Sequence, residues 1–171
     1  MSRVASPALA LAHGTGDWLA SLSDAELHVL PWVYEAWLRP EQLLPTHHWR
    51  TCGLGAGRGW GKGLAVAREI NRRVEAGEEK HILLMAPTDD RAEDVQMRPL
   101  IDYAPPWFRP EIYRGGLRWP NGVRALPFTP IAPGRTRGEN ASLSWCTELV
   151  DWKAATRLEA WDNLATATRV G

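Results

Sequence analysis

Apolar positions along this chain follow two rhythms, and each change of rhythm marks an element. HILLMAP, His81 to Pro87, is a continuous apolar run of strand length between helix-like segments. It predicts a strand buried on both faces of a parallel sheet. SLSWCTEL, Ser142 to Leu149, predicts a second short strand that ends at an acid. WRTCGLG, Trp49 to Gly55, predicts a third that runs into a glycine-rich loop. From Lys62 the spacing changes: Leu64, Ala65, Ala67, Ile70 and Val74 recur at intervals of three and four, which predicts a helix. Gly77 stands where a left-handed C-terminal stop belongs. Between Glu111 and Phe128, alternating residues surround two turn signals, Gly115-Gly116 and Pro120-Asn121-Gly122, and predict a β-hairpin or meander. The tail from Asp151 predicts a helix with Trp152, Ala155, Leu158 and Trp161 near one face.

Capping chemistry sharpens the boundaries. In LSDAEL, Ser23 is a good N-cap and Glu26 lies three residues on, a capping box flanked by Leu22 and Leu27 as a hydrophobic staple. Pro31 is suited to open a second helical piece bearing Trp32, Val33, Ala36 and Trp37, which Pro40 closes. Thr88 caps a helix whose first turn holds Asp89 and Asp90. The organisation expected is a loosely ordered leader over 1–21, a helical segment over 22–48 and one α/β unit over 49–171.

Composition narrows the class. The chain has 171 residues, 44% hydrophobic and 23% charged, with a formal net charge of zero. That is enough for a real core, and it gives no electrostatic argument for a protein that coats nucleic acid. No apolar stretch is long enough to span a bilayer, so no membrane partner and a cytoplasmic location are expected. Cys52 and Cys146 sit in apolar runs and read as small buried hydrophobes. The adjacent His47 and His48 would diverge, which fits a surface loop better than a metal site. The 10 Trp are scattered rather than interleaved with Lys and Arg, so they read as core filler.

The chemistry concentrates in GAGRGWGKG, Gly55 to Gly63. A phosphate-binding loop reads G-x-x-x-x-G-K-[ST], and its glycines let backbone N–H groups turn onto phosphate at a helix N-terminus. Here Ala56 takes the first glycine position, Gly61-Lys62 match, and Gly63 replaces the hydroxyl residue. The complementary half of such a site is an apolar strand ending in acids. Here Glu148 is present and Thr147 stands where an Asp would bind magnesium.

The ordered set GRGWGKG, LLMAPT, PPWFRP, LRWPNG, RTRGE, WCTEL and AWDNL resembles the large subunit of phage DNA-packaging terminases, from about Leu22 to Gly171. The resemblance implies a P-loop NTPase fold of the RecA/ASCE-like kind: a partial parallel sheet flanked by helices, with a β-hairpin insertion and an N-terminal helical segment. It implies ATP as substrate with Mg2+. Arg58 and Lys62 would contact phosphates, Gly57, Gly59 and Gly61 would form the backbone cradle, and Glu148 would be the catalytic carboxylate. Arg137 would stabilise charge in trans, or else pair with a nearby acid such as Glu139. Gln42 would read adenine, or else serve as an ordinary loop glutamine. Partners implied are the small terminase subunit, the portal and double-stranded DNA.

Gly63 and Thr147 together strike the magnesium site twice, so weak or absent hydrolysis is expected. The family's nuclease domain is not represented in these residues. A sheet that ends soon after Glu148 is expected to leave an edge or face for a partner or a second copy to cover. Two readings follow: an ATPase segment of a packaging motor, or an inactive terminase-derived module that binds or regulates packaging or capsid proteins.

Overall fold

The computed structural model describes residues 17–33, 37–45 and 49–168. The chain divides into two compact units, 1–69 and 70–171, with the boundary inside a helix.

In the first unit, Asp17–Ala20 (α1) and Asp24–Val29 (α2) are short helices. The capping box of α2 is present in full: the Glu26 N–H donates to Ser23 Oγ, and the Ser23 N–H and hydroxyl donate to the Glu26 carboxylate at 2.8 and 2.7 Å. Pro31 sits in a 3₁₀ turn, Leu30–Trp32; Trp37 is helical, and Pro40, beyond the end of that helix, opens another 3₁₀ turn, Pro40–Gln42. Ala36, His47 and His48 lie outside the described residues.

The strand expected over Trp49–Gly55 is not formed. Residues 51–57 alternate between exposed and half-buried, the rhythm of a strand, yet no ladder includes them. A strand exists only where a neighbour takes up its N–H and C=O groups, and Cys52, Leu54 and Ala56 bring little apolar area to recruit one. The segment leads into helix α3, Lys62–Glu75. Leu38, Ala65, Leu43, Trp60 and Leu64 form the small core of this unit.

The second unit is built on a five-stranded mixed sheet in the order β2-β3-β4-β1-β5. Its strands are β1 His81–Met85, β2 Glu111–Tyr113, β3 Gly116–Arg118, β4 Arg124–Phe128 and β5 Leu143–Cys146. β1 lies between β4 and β5 and is parallel to both, and Ile82, Leu83, Leu84 and Met85 are all fully buried, as the continuous apolar run predicts. β2, β3 and β4 form the expected antiparallel meander. A single residue, Gly116, sets the closeness of β3 to β4: a Cβ there would lie 2.2 Å from the Ala125 carbonyl oxygen.

One face of the sheet packs on helix α6, Ala154–Ala167. Its core joins Leu83, Met85 and Phe128 to Trp152, Ala160, Leu164 and Ala167. The face expected for this helix is therefore corrected. Leu158 is 75% exposed and Ala155 is exposed, whereas the stripe Ala160, Leu164, Ala167 is buried. Small residues let the helix approach the sheet, and Trp152, just ahead of α6, fills the space beside it. Trp119 is anchored by a hydrogen bond from its indole N–H to Asn71, whose own amide donates to the Leu100 carbonyl.

Thr88 caps α4, Asp89–Ala92, as expected. The helix then widens into a π-helical turn, Glu93–Met97, before α5, Arg98–Asp102. Pro99 accounts for the widening. A proline ring collides with the carbonyl four residues back and offers it no N–H, and an i→i+5 turn relieves both problems.

Candidate functional site

The glycine-rich loop belongs to the first unit. Gly59 and Gly61 have φ of +78° and +92°, a region that side chains avoid. Gly61 is required twice over, because a Cβ there would lie 2.5 Å from Gln42 Nε2. Gly57 has open space around it. The Trp60 carbonyl accepts hydrogen bonds from Gln42 Nε2 at 2.8 Å and from the Arg39 guanidinium at 2.9 Å. The Arg39 N–H donates to Gln42 Oε1 at 3.0 Å. Buried Gln42 thus spends one amide hydrogen on pinning the loop and its oxygen on capping its own 3₁₀ turn.

Lys62 opens α3, and its ammonium donates to the carbonyls of Ala56 at 2.6 Å and Gly57 at 2.9 Å. The loop therefore curls around a cation set at the positive end of a helix dipole. Two like partial charges are held close there, an arrangement that an anion would stabilise. Arg58 is exposed beside them, with no hydrogen bond or ion pair among the described residues.

Thr147 and Glu148 belong to the second unit, at the carboxyl ends of its parallel strands. The Thr147 N–H donates to the Met85 carbonyl at 3.0 Å, and the Thr147 carbonyl accepts the Trp152 indole N–H at 3.0 Å. The Thr147 hydroxyl is buried and unpartnered. Glu148 is left-handed, with φ 53° and ψ 45°. Among the described residues it is one of two non-glycine residues with positive φ; the other is Arg114. Such strain collects where structure serves function. The Glu148 carboxylate lies 3.7 Å from Arg91 Nε, both side chains being substantially exposed. The loose pair therefore adds little stability.

Sequence reasoning missed Gln96. The π-helical turn carries this fully buried side chain, whose Nε2 donates to the carbonyls of Trp145 at 2.7 Å and Met85 at 3.3 Å. One amide thus ties the ends of β1 and β5 together just ahead of Thr147 and Glu148. Because both partners are acceptors, the nitrogen must face them, and Oε1 is left buried without a donor. The sequence signal was Pro99 inside a helical pattern.

Within this chain Arg137 is paired on α6. It bonds Glu159 at 2.8 Å and Asn163 at 3.3 Å, both on α6, while Glu139 pairs with His81 Nε2 at 2.9 Å. Arg137 and Glu148 share no partner. Cys146 is inert: burial pushes its thiol up to about 12.

Neither position offers a strong ligand for a magnesium ion: Gly63, in the first unit, has no side-chain oxygen, and Thr147, in the second, has a neutral buried hydroxyl. Among the described residues, no three His, Cys, Asp or Glu side chains gather as metal ligands. Among those residues, no helix is long and apolar enough to cross a membrane. Comparison with known protein families, with curated proteins and with solved structures gave no match.

Proposed function

We propose that this chain is a terminase-like P-loop NTPase domain of viral DNA packaging. It binds the phosphates of ATP through the loop Gly57–Lys62 and turns ATP over weakly. The observation that carries the reading is the Lys62 ammonium, drawn onto the Ala56 and Gly57 carbonyls inside a loop with two left-handed glycines at a helix N-terminus. A triphosphate would offer that ammonium, Arg58 and the first N–H groups of α3 a better partner than two carbonyls. The ordered terminase-like motifs support the packaging role, with double-stranded DNA, portal and small terminase subunit as partners. Glu148 is the candidate catalytic carboxylate, and its left-handed backbone supports a functional role for that position.

Gly63 and Thr147 favour a second reading, an inactive module that binds or regulates packaging or capsid proteins. Phosphate release over time separates the two. Turnover above background that Lys62→Ala abolishes supports a working motor segment. ATP binding without turnover supports the inactive module. Absence of Lys62-dependent binding contradicts the first reading.

A further inference from the structure

The sheet face that packs on α6 continues beyond β4 onto β2 and β3, where its side chains are mostly exposed. Strand register places Glu111, Arg118, Arg124 and His81 side by side across four strands on this face. Tyr113 lies on it too, opposite Gly116. Arg118 and Arg124 stand directly opposite each other, an unfavourable pairing of like charges. Glu111 answers Arg118 at 2.6 Å, while Arg124 is exposed and has no partner among the described residues. Arg135 lies over Phe128, further along β4 on the same face, at 5.8 Å.

The hairpin tip adds a second, independent observation. The two residues between β2 and β3, Arg114 and Gly115, both have positive φ, at 50° and 79°. Such a turn takes Asn or Gly readily and arginine at a cost. Arg114 uses that conformation to set its guanidinium over the Tyr113 ring at 5.2 Å, beside Arg118 at 4.5 Å. Four exposed arginines therefore share this face with Glu111 and with Glu139, which is paired to His81. The turn from β3 into β4 is held by buried Trp119 on Asn71 and by Asn121 Nδ2 on the Val74 carbonyl.

We propose that this shelf, formed by Arg114, Arg118, Arg124 and Arg135 around Tyr113, docks the phosphate backbone of duplex DNA without reading sequence. Charge complementarity selects a polyanion. The Tyr113 ring is already covered by guanidinia, so it is not a free platform for stacking bases, as single-strand binding requires. Arginine forks suit phosphate oxygens, and a duplex presents the denser phosphate array. The shelf lies wholly in the second unit and does not depend on nucleotide at the Lys62 loop.

The test is fluorescence anisotropy with a labelled 30-base-pair duplex, without nucleotide, over a series of salt concentrations. Every phosphate that an arginine no longer neutralises lowers the slope of log K against log salt by about 0.9. Arg118→Ala with Arg124→Ala is expected to lower the slope by about 1.8. It should also weaken binding at least tenfold. Arg118→Lys with Arg124→Lys should keep most of the slope, which guards against a merely unfolded alanine variant. Arg114→Asn should bind more weakly while unfolding at a higher temperature. An unchanged slope in the alanine variant overturns the proposal. So does tighter binding to a single strand, or binding to polyglutamate with none to the duplex. Lys62→Ala should leave duplex binding unchanged. Loss of ATP binding with duplex binding intact would therefore count against the nucleotide reading alone.

Discussion

Replacing Glu148 by glycine and by alanine should separate backbone strain from carboxylate chemistry. Both variants remove the carboxylate and its loose 3.7 Å approach to Arg91, so that contribution is lost equally in the two and cancels in their difference. They differ in what they do at φ 53° and ψ 45°. Alanine keeps the Cβ that makes this region unfavourable by roughly 1–2 kcal/mol, and glycine removes it. Glycine also loses more freedom on folding, by about 0.5–1 kcal/mol. The net expectation is that Glu148→Gly exceeds Glu148→Ala in stability by about 0.5–1 kcal/mol. For a chain of 171 residues that is roughly 1–4 °C in unfolding temperature. Thermal unfolding followed by tryptophan fluorescence reads the difference directly. Equal stabilities, or a more stable alanine variant, would refute the left-handed geometry and the strain argument built on it.

Three further outcomes follow from the second unit. Gly116→Ala should destabilise by about 1–3 kcal/mol in urea unfolding, because its Cβ would meet the Ala125 carbonyl backbone. Gln96→Ala should cost about 2–3 kcal/mol, as it removes a donor from the Trp145 carbonyl and one of two from the Met85 carbonyl, and leaves a cavity. Gln96→Met should cost less in the same assay, because it also removes the orphaned Oε1. For pH, the hydrogen bond from Arg72 holds the Glu78 carboxyl below the usual range. Its folded pKa is depressed, so its contribution is present above the unfolded value near 4.3 and is lost as pH falls through the folded value. Arg72→Gln should therefore flatten the acid limb of the stability profile.

Elements with their own signal were legible in the sequence. The apolar run of β1, the capping box at Ser23 and the two turns of the meander carry their chemistry within a few residues. What was not legible depends on distant partners. Trp49–Gly55 has the alternation of a strand, and only a neighbouring ladder would make it one. The buried stripe of α6 is small, Ala160, Leu164 and Ala167, so bulkier Leu158 misdirected the choice of face. Arg137 had several acids within reach, and the placement of α6 selected Glu159. At the candidate site, Lys62 and its glycines followed from spacing. The inward turn of Gln96 required knowing that Pro99 widens a helix instead of ending it. The left-handed conformations of Arg114 and Glu148 left no trace, because neither is a residue that advertises positive φ.

The central claim is that the loop around Lys62 holds nucleotide phosphate without a protein-built magnesium site. Calorimetric titration of ATP into the wild type and into Lys62→Ala, each with magnesium or with EDTA, measures this directly. Binding should weaken at least tenfold in Lys62→Ala, with wild-type affinity alike within about threefold in the two buffers, a difference under about 0.7 kcal/mol. ATP affinity that ignores Lys62, or that collapses in EDTA, would contradict it.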